Sequence, residues 1–123
     1  YFFLALTLLS PLSCSEPPGA MSVCEKLVAA EVGTKCATKQ PGGIAAGAKA
    51  AVDIELIEPG KSGQVLSFAD AESFKATEKA FAAAAVLAGR HRYGSARALL
   101  FVQLNSEVTE ETGAKAKAVV DGL

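Results

Sequence analysis

AAVDIELIEPGKSGQVLSF, residues 50–68, is the stretch that decides the fold. Val52, Ile54 and Leu56 alternate with Asp53 and Glu55, the period of two that places apolar side chains on one face of a strand and charges on the other. Pro59 to Gly63 turn the chain back, and Gln64 to Phe68 return Leu66 and Phe68 to the same core, so the stretch reads as a β-hairpin. Gly60-Lys61-Ser62 also ends a phosphate-binding loop elsewhere. Here Glu55 stands where that loop needs its first glycine, and a strand follows where a helix is required, so the tripeptide reads as hairpin loop.

Downstream, Asp70 caps a helix running to about Ala88, with Phe74, Phe81, Ala85 and Ala88 on one stripe, Lys75 and Lys79 outward, and Gly89 as its stop. Ala96 to Leu104 form the third strand. Leu99, Leu100, Phe101 and Val102 are consecutive there, which calls for cover on both faces. A last helix starts at about Glu107 and turns Val108, Thr112, Ala116, Val119, Val120 and Leu123 inward, although Gly113 weakens it. Upstream, Ser22 caps a helix carrying Cys24, Leu27, Val28 and Val32 at helical spacing, with Gly33 as the stop, and residues 37–47 read as loop from their Pro and Gly content. The order α-β-β-α-β-α predicts a small two-layer α+β domain over residues 22–123, a three-stranded, mainly antiparallel sheet packed by helices. The expected spatial order, 2-1-3, leaves the most apolar strand on an edge, to be covered by the N-terminal helix or a partner chain.

The chain has 123 residues, half of them hydrophobic and 20% charged, which suits one packed core and no more. Twelve Lys plus Arg against thirteen Asp plus Glu leave a net charge of −1, so no overall field draws the protein to nucleic acid, and no nucleic-acid partner is expected.

The run Tyr1 to Leu12, YFFLALTLLSPL, is uncharged and almost wholly apolar. It is too short for a membrane span, which needs about twenty residues, and reads as the hydrophobic part of a signal peptide covering residues 1–13, with a basic segment expected ahead of Tyr1. Residues 14–21 follow as a polar, proline-rich tether. Leu12-Ser13-Cys14 resembles the end of a bacterial lipobox, with Pro11 where a leucine is expected and Leu12 where a small residue is more common. That resemblance implies that Cys14 becomes the acylated N-terminus, a lipid anchor in the membrane, and that Ser15 is compatible with sorting to the outer membrane. The alternative is ordinary cleavage after Ala20, which releases a soluble secreted module. As a whole the chain is similar to the small, uncharacterised lipoproteins of Gram-negative bacteria, a likeness that implies an address in the envelope, outer-membrane-anchored or periplasmic, and no mechanism.

With Cys14 acylated or removed, the three cysteines reduce to an even pair. Cys24 and Cys36 are expected to form a disulfide across a loop of about thirteen residues, a closure worth roughly 3 kcal/mol. Neither a close Cys-x-x-Cys nor a second histidine completes a zinc shell, so no metal and no cofactor is expected.

Arg90-His91-Arg92-Tyr93, with Arg97 close behind, is the concentrated polar group of the chain and the candidate contact for an anion or partner. Cations just past a helix C-terminus also satisfy the helix dipole without any ligand. His91 is the sole histidine and lacks an acidic orienter in the sequence nearby, Glu110 and Glu111 diverge on a helix, and no serine sits in a nucleophile motif. The expectation is a non-catalytic envelope domain that binds a protein or envelope component. A small hydrolase or isomerase centred on His91 is the alternative from another class.

Overall fold

The structure, a computed structural model, describes residues 17–123. The expected signal peptide, Cys14 and the first part of the tether lie outside the described residues. The fold is α+β, with helices packed on an antiparallel sheet, as the alternation of the hairpin demands.

The hairpin forms where expected: β2 (Ala50–Leu56) pairs with β3 (Ser62–Ser67), Val52 opposite Val65 and Ile54 opposite Gly63. The sheet has five strands, however, in the order β1-β2-β3-β5-β4, every pair antiparallel. Two strands escaped the sequence reading. β1 (Gly33–Lys39) lies on an edge and exposes five of its seven residues, so it carries no apolar alternation to detect. Its Thr34, Cys36 and Thr38 were the available signal, since β-branched and small thiol side chains suit a pleated surface. β4 (Arg92–Ser95) is only four residues long and polar.

The expected third strand is shorter than read and lies elsewhere. β5 spans Leu100–Leu104, while residues 96–99 make the β4–β5 turn, where Leu99 takes a left-handed backbone (φ 56°). β5 pairs with β3 and not with β2, so the expected 2-1-3 order is corrected. With β4 on its far side the most apolar strand lies in the interior of the sheet, which removes the need for a cover on that edge.

The helices also depart in detail. α1 spans Ala20–Ala29, so Gly19 and not Ser22 precedes it, and the expected tether gives up Ala20 and Met21. It stops short of Gly33 because Glu31 turns left-handed (φ 66°) and leads into β1. α2 (Ala71–Ala83) starts as expected, the Asp70 side chain accepting from the Ser73 amide at 2.8 Å. It breaks at Ala84, and a one-turn α3 (Ala85–Ala88) follows before Gly89. That break leaves Ala85 exposed, against the expected stripe. α4 is Glu110–Asp121, capped by Thr109, three residues later than expected.

Helices cover both faces, so the two-layer expectation becomes three layers. On one face Val52, Ile54, Leu56, Val65, Leu100, Val102 and Leu104 meet α1 through Val23 and Leu27 and α4 through Ala116 and Val120. On the other, Ala51, Leu66 and Phe101 meet α2 through Phe74 and Phe81. Cys24 of α1 and Cys36 of β1 are disulfide-bonded, which ties the edge strand to the first helix.

Candidate functional site

The five residues expected to form a contact patch are spread over two layers. His91 is 3% exposed. Its Nε2 lies 3.1 Å from the Val108 carbonyl and its Nδ1 2.9 Å from the Tyr93 hydroxyl. A carbonyl only accepts, so Nε2 donates to Val108, and with Nδ1 on the Tyr93 hydroxyl both ring nitrogens are engaged. Gly113 of α4 makes room for this pair: a Cβ there would lie 2.6 Å from both His91 Nδ1 and Tyr93 Oη. The glycine that weakens the helix on paper is the price of close packing against β4.

Tyr93 is half-buried, and its hydroxyl is harder to ionise than a free tyrosine's, chiefly because of burial and then the negative charge of Glu110. Arg90 pairs with Glu110 at the start of α4, and Arg97 donates to the Leu123 carbonyl at its end. Arg92 turns to the α2 side, where its Nε donates to the Gly89 carbonyl at 2.7 Å. The basic loop is therefore largely committed to bracing α4 and the α3–β4 turn.

On the same α4 edge, Glu58 accepts from the Thr109 amide and hydroxyl and from the Thr112 hydroxyl, at 3.0, 2.9 and 2.5 Å. These donors, Thr112 first, hold its carboxyl below the usual range, as expected for an anion at a helix N-terminus.

The α2 side of the sheet is only half covered. In the register row next to Ala51, Leu66 and Phe101, Asp53 stands opposite Gln64, Gln64 opposite Gln103, and Gln103 opposite Arg92. Four polar side chains thus line up across four strands, a span of about 14 Å at ordinary strand spacing. Gln64 Nε2 donates to Gln103 Oε1 at 2.9 Å, while Gln103 Nε2 donates to the carbonyls of Ala88 at 2.9 Å and Leu104 at 3.2 Å. Gln103 is fixed by these bonds, and no donor among the described residues reaches the Gln64 carbonyl oxygen. Lys39 and Asp53 neutralise each other at 2.7 Å.

A groove of about 270 Å³ lies over this floor, lined by Lys39, Asp53, Gln64, Gln103 and Asn105 and overhung by Leu87. It shares Gln64, Gln103 and Leu87 with a second hollow of about 240 Å³ walled by Ile44, Ala45, Phe81 and Ala88. The break at Ala84 points Val86 and Leu87 outward, 98% and 84% exposed, so two large apolar side chains stand in water at the rim. An apolar rim beside a preformed polar floor is the composition of a binding surface. Chemically it offers neutral amide donors and acceptors and aliphatic contact. Among the described residues no set of three His, Cys, Asp or Glu side chains is placed to hold a metal ion, and no helix is long and apolar enough to cross a membrane.

Sequence reasoning missed Gln64, Gln103 and Leu87. The signal was present in β5, where Gln103 interrupts an otherwise apolar strand and marks a position facing away from cover. Leu87 carried none, because its exposure depends on the helix break. No family model, curated protein or solved structure matches this chain.

Proposed function

We propose that the chain is an exported, non-catalytic envelope protein, anchored in the outer membrane through an acylated Cys14, whose single domain binds a partner protein or envelope component. The observation that carries the binding reading is the groove: a hydrogen-bonding floor of Gln64 and Gln103 bounded by exposed Leu87. The contact therefore moves from the Arg90–Arg97 loop to the sheet, with Arg92 at the end of the polar row. The Cys24–Cys36 disulfide supports export, because such bonds persist in oxidising compartments. His91 supports the non-catalytic reading, since both its nitrogens are engaged by Tyr93 and Val108 and neither partner is a carboxylate. The second reading, a soluble secreted module, uses the same groove and differs only in the leader.

Expressing the full chain in a Gram-negative host and weighing the membrane-fraction protein before and after reduction tests the address. The anchor requires a chain starting at Cys14 with a diacylglyceryl and a fatty-acyl group, gaining a pair of hydrogen atoms on reduction. An unacylated soluble product starting near Met21 contradicts it. For the groove, Leu87→Asp is expected to abolish saturable association with a purified envelope fraction while leaving the circular dichroism spectrum unchanged. Undiminished association would remove the groove as the site.

A further inference from the structure

We infer that β1 is a docking edge for an extended acidic segment of another protein, which adds to the sheet as a sixth strand. This surface adjoins the groove, which Lys39 and Asp53 also line, but it uses the free backbone edge of β1 and does not depend on the Gln64–Gln103 floor. β1 is paired on one side only, with β2, and Thr34, Lys35, Ala37, Thr38 and Lys39 are exposed. The other edge, β4, is four residues long, with Arg92 and Tyr93 already engaged. Strand addition supplies main-chain hydrogen bonds, and side chains at alternate positions select the partner.

Two features turn this edge from a liability into a receptor. Cys36, at the middle of the seven-residue strand, is bonded to Cys24, which is fully buried in α1. The edge is held in place before any partner arrives, so less ordering cost falls on binding. The charges are also one-sided. Lys35 and Lys39 share a face, four residues apart, and β1 carries no acid. On its paired side, β2 meets them with Glu55 and Asp53, of which Asp53 binds Lys39 at 2.7 Å. Lys35 has no ion-pair partner among the described residues. β2 sets Glu55 opposite Lys35 and Asp53 diagonal to Lys39; on the free side, a segment with carboxylates four residues apart sets one opposite each lysine.

The same lysines argue against a second copy as occupant. Antiparallel self-pairing about Ala37 sets Lys35 of each copy against Lys39 of the other, and like charges directly opposite are destabilising. Edge lysines are a common guard against unwanted pairing. Here the guard disfavours self-pairing about Ala37 and admits acid.

The test uses isotopically labelled full-chain protein and short valine–threonine peptides in three forms: two glutamates four residues apart, lysines at those places, and the glutamate form with backbone N-methylation. The glutamate peptide is expected to shift the amides of Thr34 to Lys39 in a saturable titration. The lysine and N-methylated forms should not. Lys35→Glu, an exposed change that leaves the fold intact, should weaken the glutamate peptide on the order of fivefold and improve the lysine peptide. The inference is overturned if no β1 amide moves, if Lys35→Glu leaves affinity unchanged, if the N-methylated peptide binds equally, or if sedimentation shows the protein dimerising alone through this edge.

Discussion

The α1/α4 face of the sheet and the α2 face are made by the same strands, yet their second register rows differ completely. On the first, the row after Val52, Val65 and Val102 holds Ile54, Gly63 and Leu104, of which Ile54 and Leu104 continue the core and are 0% exposed, because helices run over them. On the second, the row after Ala51, Leu66 and Phe101 holds Asp53, Gln64 and Gln103, and α2 stops short of it. A helix of thirteen residues broken at Ala84 cannot roof the whole sheet. The lesson is that covered area specifies stability, while the uncovered area is where the proposed function places contact. Substitutions on the two faces should separate those properties.

Leu100→Ala, in the closed face, is expected to have the largest effect, a loss of about 3–4 kcal/mol in urea unfolding from a cavity that surrounding helices do not fill. Loss no greater than a surface change would mean that this face is not the core. Removing the disulfide with Cys24→Ala and Cys36→Ala should cost about 3 kcal/mol, read the same way, by freeing β1 from α1. Gly113→Ala comes next. Alanine ordinarily stabilises a helix over glycine by about 1 kcal/mol, but here the new Cβ meets His91 and Tyr93, so a net loss of about 2 kcal/mol is expected. Stabilisation by this substitution would contradict the packing described for the pair.

Glu58 sharpens the comparison through pH. Its folded carboxyl binds a proton less tightly than the unfolded one, whose ordinary value is 4.5. Its contribution to stability is therefore full above that value and lost as pH falls through the lower folded value. Unfolding midpoints of the native chain and Glu58→Gln should converge toward acid and separate above it; parallel curves would show that Glu58 does not couple to α4. The smallest expected effect belongs to the open face. Leu87→Asp should change stability by no more than about 0.5 kcal/mol, since the side chain is already in water.

Much of the fold was legible in residues whose periodicity was strong. The hairpin of residues 50–68, the Asp70 cap and the disulfide partners all follow from local pattern and cysteine parity. β1 was illegible because an exposed edge strand needs no apolar alternation, and β4 because four residues carry too little pattern. Missing them made β5 look like an edge strand when it lies inside the sheet. The candidate site was misplaced for a related reason. Arg90, His91, Arg92 and Tyr93 are conspicuous as letters, but tertiary partners on α4 and Gly89 absorb their polarity. Gln64 and Gln103 are unremarkable in the sequence and become a floor only when β5 is placed beside β3.

The central claim is that contact with a partner takes place on the open half of the α2 face. Its most direct test is a photo-crosslinking residue installed in living cells at Leu87, on the rim, and in parallel at Lys117, exposed on α4 across the sheet. A discrete adduct from position 87, displaced by excess native protein but not by the Leu87→Asp form, and none from position 117, is the predicted result. Equal adducts from both positions, or an adduct from 117 alone, would contradict it.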